Sequence, residues 1–173
     1  MSADKRGWIF VVDRDHLGGF HRNRNDIVQQ LDGNLGGGQM YSNPAYFDGA
    51  VYYAPPGQPL RRYAVSHGLL SQRPVSQSRD LFNYPGATPA ISSNGDADGI
   101  VWTVAVSGRV RGGPPARLRA YDARNVSTEL YDSGRGGRRD QAAPGTKFSV
   151  PSIANGMVFF GTQTELEAYG LHR

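Results

Sequence analysis

The chain has 173 residues, of which 38% are hydrophobic and 20% charged, with a formal net charge of +4. A chain of this length supports one hydrophobic core rather than two. It contains no cysteine, which excludes disulfides and thiolate metal sites. The 23 glycines and 11 prolines are typical of many short strands joined by turns.

The positive charge is concentrated at 109–119 and 135–139, in glycine-rich segments without aromatic residues. Surfaces that bind single-stranded nucleic acid combine basic and aromatic side chains, so we expect solvated loops and no nucleic-acid partner. No segment approaches the roughly 20 apolar residues of a membrane-spanning helix, and no membrane partner is expected. The first residues lack a secretory signal pattern, which leaves the compartment unknown.

The first predicted element is a strand at Gly7–Asp13, GWIFVVD. Asp26–Leu31, DIVQQL, follows as a second strand or a short helix. We interpret residues 1–38 as half of a four-stranded unit followed by a glycine-rich linker.

Three similar segments follow, starting at Ser42, Ala87 and Val150, and their prolines are Pro44, Pro89 and Pro151. In each, a proline begins a strand, an Asp-Gly or Asn-Gly turn follows, and a β-branched and aromatic run forms the next strand. A third strand ends each segment, and a fourth is predicted at Leu69–Ser76 and at Ser127–Asp132. The hairpin turns are predicted at Asp48-Gly49, Asp98-Gly99 and Asn155-Gly156.

Four antiparallel strands in each repeat are typical of a β-propeller, in which such a set of strands makes one blade. We divide the single domain into the half-blade 1–38, a blade at 39–82, a blade with long loops at 83–146, and an incomplete three-stranded blade at 147–173. About thirteen strands, or three to three and a half blades, cannot close a ring of four to eight blades. The sequence therefore predicts an all-β partial propeller completed by a homodimer into a six- or seven-bladed ring, with strands shared between the copies.

Four segments carry a family resemblance: SADKRGWIFVVDRDHLGGF, YPGATPAISSNGDADGIVW, ARLRAYDARNVSTELYDS and KFSVPSIANGMVFFGTQTELEAYGL. They resemble the C-terminal half of bacterial quinoprotein-like (PQQ-like repeat) β-propeller proteins. The resemblance implies a propeller fragment, from a family that is often periplasmic or secreted. The quinone enzymes of this family use an aspartate base, a calcium site and a stacked tryptophan. That set cannot be placed here, so PQQ is not expected as a cofactor.

The polar segment between the first two strands holds Asp13, Asp15, His16 and His21. Carboxylate and imidazole ligands together suit zinc, manganese or another divalent metal such as calcium. The alternative is a solvated turn that Asp13 caps, which we favour. The tyrosines are interpreted as blade packing, with the alternative that one points into the channel; they include Tyr41, Tyr46, Tyr84, Tyr121 and Tyr169.

No catalytic motif is recognisable, and there is no G-x-S-x-G elbow. We expect a self-assembling propeller fragment that binds a small molecule or displays loops at the central channel. The alternative is a metal-dependent hydrolase of phosphotriesters or lactones, in which Asp13, Asp15, His16 and His21 hold a metal that activates water at the dimer axis. A remnant of a quinone-dependent dehydrogenase is the third hypothesis.

Overall fold

The computed structural model describes residues 1–36, 39–107 and 112–170. Within these ranges the regular elements are fifteen β-strands and two 3₁₀ turns, Ser133–Arg135 and Gly137–Asp140, so the all-β class is confirmed. Residues 37–38 of the predicted linker and 109–111 of the basic segment lie outside the described ranges. In the described chain no helix is long and apolar enough to cross a membrane.

The strands form four antiparallel sheets that follow one another along the chain. Sheet 1 contains β1 (Ser2–Ala3), β2 (Ile9–Val12) and β3 (Ile27–Leu31). Sheet 2 contains β4 (Ala45–Phe47), β5 (Ala50–Tyr53), β6 (Gln58–Ser66), β7 (Leu69–Leu70) and β8 (Ser76–Phe82). Sheet 3 contains β9 (Ala90–Asn94), β10 (Ala97–Ala105), β11 (Arg117–Asp122) and β12 (Glu129–Asp132). Sheet 4 contains β13 (Ser152–Ala154), β14 (Met157–Gly161) and β15 (Leu166–Gly170).

The strand order within each sheet follows the sequence, as in a propeller blade. The first strands of successive sheets also contact one another, β4 with β9 and β9 with β13. The segment 27–31 is a strand rather than a helix. The sheets are therefore blade-like, while the division of the chain at 38, 82 and 146 stays a prediction.

Three hydrophobic clusters lie between successive sheets. Ile9, Val11 and Leu31 of sheet 1 pack against Tyr53 and Tyr63 of sheet 2. The opposite face of sheet 2 packs on sheet 3 through Tyr52, Leu60, Val101 and Tyr121, and sheet 3 packs on sheet 4 through Val104, Leu118, Val158 and Phe160. Both faces of the two middle sheets are thus covered.

Two of the three predicted hairpin turns are confirmed. Asp48 and Gly49 have φ of 40° and 67°, and Asn155 and Gly156 have 50° and 73°, the left-handed geometry that Asp-Gly and Asn-Gly favour. The prediction at Asp98-Gly99 is wrong. The chain turns three residues earlier, at 95–96, and Asp98 lies in a β-bulge inside β10. A side chain at Gly99 would collide with the Phe47 ring, so close packing of sheets 2 and 3 explains this glycine.

The predicted fourth strand at Leu69–Ser76 is also wrong in position. Only Leu69 and Leu70 continue the hairpin, and the long outer strand is β8, which pairs with β6. Pro74 has no amide hydrogen to donate, so the ladder is interrupted between β7 and β8.

Two neighbouring tyrosines in the cluster between sheets 1 and 2 differ in the hydrogen bonding of their hydroxyl groups. The rings of Tyr53 and Tyr63 meet edge to face, with centroids 6.0 Å apart. The Tyr63 hydroxyl donates to oxygens of Asn34 at 2.9–3.0 Å. The Tyr53 hydroxyl is buried and has no hydrogen-bond partner among the described residues.

This pair gives a matched test of the packing. Tyr63→Phe should lower the free energy of unfolding by about 1 kcal/mol, because it removes a hydrogen bond and leaves Asn34 with an unpaired oxygen. Tyr53→Phe should leave the stability unchanged or raise it, since it removes only an unsatisfied buried hydroxyl. Urea denaturation followed by circular dichroism measures both. A larger loss in Tyr53→Phe would contradict this arrangement.

Alkaline pH should unfold the protein. Burial raises the pKa of Tyr63 to about 12 and also raises the pKa of Tyr53 and Tyr121 above the ordinary 10.0. The folded state then binds more protons than the unfolded chain, so stability is complete below pH 10 and falls as the pH rises toward 12. Tyrosinate absorbance should increase in two steps, the second coinciding with loss of circular dichroism. One step near pH 10 with native circular dichroism would show that these rings are not buried.

Candidate functional site

The polar loop after β2 is organised by Asp13. One carboxylate oxygen, Oδ1, accepts from the backbone amide of Asp15 at 3.0 Å, and Oδ2 lies 2.9 Å from Nδ1 of His16. The amide of Asp15 first, and then the His16 ring, lower the pKa of Asp13. All three side chains are exposed. Asp13 therefore caps this turn, as the favoured interpretation expected.

A similar turn occurs two repeats further on, in sheet 3. Asp122 is the last residue of β11, and Asp13 directly follows β2. Oδ1 of Asp122 accepts from the backbone amide of Arg124 at 2.7 Å. In both turns the residue three positions later, His16 or Asn125, donates its amide to the aspartate carbonyl. Two of the four sheets thus share this aspartate turn.

The other two predicted ligands point to different partners. Asp15 lies 3.5 Å from the guanidinium of Arg14, and Nε2 of His21 lies 2.7 Å from the Gly18 carbonyl oxygen. The structure brings together Asp13 and His16 only, and the described residues contain no group of three or more histidine or carboxylate side chains placed to hold a metal. A metal bound by Asp13, Asp15, His16 and His21 stays a prediction.

A buried charge cluster lies at the outer strands of sheet 3. The Asp132 carboxylate is 1% exposed and accepts from Arg117 Nε and from the Gly134 amide at 3.0 and 2.9 Å. Arg119, also buried, lies 3.7 Å from Asp132 and 3.2 Å from Asp80. Each carboxylate faces a guanidinium, which indicates a structural role at the contact between sheets 2 and 3.

Glu129 borders a surface groove of about 360 Å³ beside this cluster. Burial, and then the charge of Asp80, raise the pKa of Glu129. Its carboxylate nevertheless lies 3.0 Å from Arg135, and Asp140 across the groove lies 2.6 Å from Arg139. Both acidic groups are therefore already paired.

A second group, not identified as a site from the sequence, gathers at the segments that precede the first strands. Tyr41 precedes β4, Tyr84 precedes β9, and Phe148 precedes β13. The Tyr41 ring lies 5.2 Å from that of Tyr84 and 6.4 Å from that of Phe148. Lys5, in the turn between β1 and β2, lies 5.9 Å from the Tyr41 ring, and Lys147 lies 5.7 Å from the Tyr84 ring. We call these five residues the mouth cluster, to which all four sheets contribute.

The sequence held a signal for the mouth cluster. Tyr41 and Phe148 each stand three residues before the proline that begins a repeat, Pro44 and Pro151. The interpretation of the tyrosines as blade packing is confirmed for the buried Tyr121 and wrong for Tyr46, which is 65% exposed. Tyr41 and Tyr84 are half-buried. The lysines come from distant segments, so their approach to these rings could not be inferred from spacing.

The outer face of sheet 4 carries no charged residue on its three strands. Val158 and Phe160 point toward sheet 3 and are buried, so the alternate residues of β14, among them Phe159, lie on the outer face. Their cross-strand partners share that face. The outer-face residues are Ser152, Ala154, Met157, Phe159, Gly161, Leu166, Ala168 and Gly170.

Sheet 1 also has an apolar outer face. Ile9 and Val11 point toward sheet 2, which places Phe10 and the exposed Val12 on the other side of β2. Val28 of β3 is half exposed there, and Trp8 stacks on the Arg6 guanidinium 4.0 Å from its ring. The two terminal sheets thus each present an uncovered, largely apolar face.

The structural role of Asp132 predicts a stability effect. Asp132→Asn removes the buried carboxylate charge that pairs with Arg117, whereas Arg119 keeps its contact with Asp80. The loss of these charge-assisted hydrogen bonds should cost about 2 kcal/mol of unfolding free energy. Asp96→Asn removes the same charge from an exposed turn and should change little. Urea denaturation compares the two variants, and equal stabilities would refute the role assigned to Asp132.

Comparison with known proteins adds no functional assignment. The chain matches no known protein family, no curated protein is significantly similar to it, and no solved structure matches it. The candidate site therefore rests on the side chains of this chain alone.

Proposed function

We propose that this chain is half of a β-propeller, which closes into a ring with a second copy and offers a small-molecule site at its centre. The observation that carries the proposal is the pair of uncovered faces on sheets 1 and 4. Sheets 2 and 3 are apolar on both faces and have both covered. The same covering for the terminal sheets requires additional sheets stacked on each end.

The two outer faces have complementary side chains. Sheet 1 offers large groups, among them Trp8 and Phe10, whereas sheet 4 sets small residues such as Ala154 and Ala168 around Phe159. Large groups facing small ones is how packed layers interdigitate. In a two-fold dimer, sheet 4 of each copy stacks on sheet 1 of the other, so both faces are covered and the assembly closes.

The proposed ring has eight blades rather than the six or seven expected from the sequence. The earlier number assumed thirteen strands and a blade shared between the copies. The strand β1 gives sheet 1 a third strand of its own, so each copy brings four separate sheets. Eight is the upper end of the common range for propellers. This repeating architecture agrees with the resemblance to PQQ-like repeat proteins, which stays a proposal.

The solution mass and one charged variant test the dimer. Light scattering should give about twice the chain mass of 18.8 kDa. Phe159→Arg buries an unpaired charge in the contact and should weaken association at least about tenfold. Leu81→Arg is the matched control, because Leu81 is 61% exposed on β8, away from both outer faces, and the variant should remain dimeric.

A double variant tests which faces meet. Phe10→Glu combined with Phe159→Arg places opposite charges across a contact between sheet 1 and sheet 4, and should restore part of the lost association. Contact between two copies of sheet 4 would give no such rescue. A monomeric wild-type protein at micromolar concentration, or a dimeric Phe159→Arg variant, would refute the proposed ring.

A further inference from the structure

The lysine distribution singles out the mouth cluster. The chain has 19 lysine and arginine residues, of which only Lys5 and Lys147 are lysines. Both lie near rings of this one cluster, although they are 142 positions apart in the sequence. A lysine ammonium is a compact charge with three rotatable donors, and the ring attracts it without using those donors. Neither ammonium forms an ion pair within the described chain.

The third ring is held outward. Phe148 is 57% exposed and has φ of 63°, which is an unfavourable backbone conformation for a bulky side chain. A large apolar ring gains nothing from exposure to water, and strained residues of this kind cluster at ligand sites. The exposed face of Phe148, beside Tyr41, is therefore available for stacking.

A polar group without a partner lies next to this ring. Ser42, Ser149 and Phe148 help to line a cavity of about 10 Å³, which is the space of one water or one ligand oxygen. The Ser42 hydroxyl oxygen is buried and has no hydrogen-bond partner among the described residues. A bound oxygen atom in this cavity would satisfy it.

We infer that the mouth cluster binds a small aromatic anion, meaning a flat unsaturated ring that carries one acidic group. The exposed ring of Phe148 stacks on the ligand ring, and the ammonium groups of Lys5 and Lys147 neutralise the acidic group. An inorganic anion would leave the rings unused, and an aromatic cation would be repelled by both lysines. All five residues belong to one chain, so binding does not require the proposed ring.

Four probes separate the contributions of ring and charge in calorimetric titrations of the whole chain. Naphthoate and naphthyl phosphate carry both features, and the tighter of the two identifies a carboxylate or a phosphate as the preferred group. Cyclohexanecarboxylate lacks the aromatic ring and inorganic phosphate lacks any ring, so each should bind at least about tenfold more weakly. Absence of binding by both naphthyl probes, or equal binding of cyclohexanecarboxylate, would overturn the inference.

Variants locate the binding. Lys5→Gln with Lys147→Gln should weaken naphthoate binding at least about tenfold, and arginine at both positions should restore most of it. The control removes two exposed charges elsewhere, Arg73→Gln with Arg79→Gln, and should change the affinity less than about twofold. Equal losses in the two charge variants would reduce the effect to net charge and refute the site.

Phe148→Asn tests the stacking ring, because asparagine tolerates a positive φ and the position is exposed, so the fold should persist. We expect at least about a tenfold loss of naphthoate affinity, by analogy with stacking contributions to bases on aromatic side chains. Unchanged affinity with native circular dichroism would refute the role of the ring. The Phe159→Arg variant should still bind naphthoate, which separates failure of this site from failure of the proposed ring.

Discussion

Stacking of two-faced sheets is the constraint on which this structure depends. All four residues of β5 are buried, because successive side chains point to opposite faces and both faces are covered by a neighbouring sheet. Many antiparallel sheets expose one polar face to water, but a sheet with two apolar faces must be covered on both. The outer faces of sheets 1 and 4 are apolar but uncovered in the single chain, and this is the packing argument that supports the proposed ring.

Polar contacts between sheets fix how the layers lie on one another. The carbonyl of Ala123 accepts from the Tyr52 hydroxyl at 2.6 Å and from Arg62 at 3.1 Å, which joins sheet 2 to the end of β11. The amide of Val126 donates to Ser76 at 3.2 Å across the same contact. Apolar packing alone is non-directional, whereas these bonds specify one position of sheet 3 on sheet 2. The geometry of the mouth cluster depends on this fixed position.

Features that depend on adjacent residues were predicted well from the sequence, whereas those that depend on packing between distant segments were missed. The turns at Asp48-Gly49 and Asn155-Gly156 are encoded by two residues each, so the sequence was sufficient. At Asp98-Gly99 a second turn-forming pair at 95–96 was available, and packing of Phe47 against Gly99 decided between them. The interruption at Pro74 could have been inferred from its missing amide hydrogen.

The same difference holds for the two candidate sites, the Asp13 loop and the mouth cluster. Asp13 caps a turn in the same way as Asp122 does in sheet 3, so its presence says little about chemistry. The lysines of the mouth cluster form no ion pair among the described residues, so no structural partner explains their charge. In a repeat protein the shared residues explain the scaffold, and the departures from the repeat are where function is to be sought. All four sheets contribute residues to the mouth cluster, so side chains there can act together on the proposed ligand. His16 lies in a single exposed loop and contacts only Asp13 of the same turn.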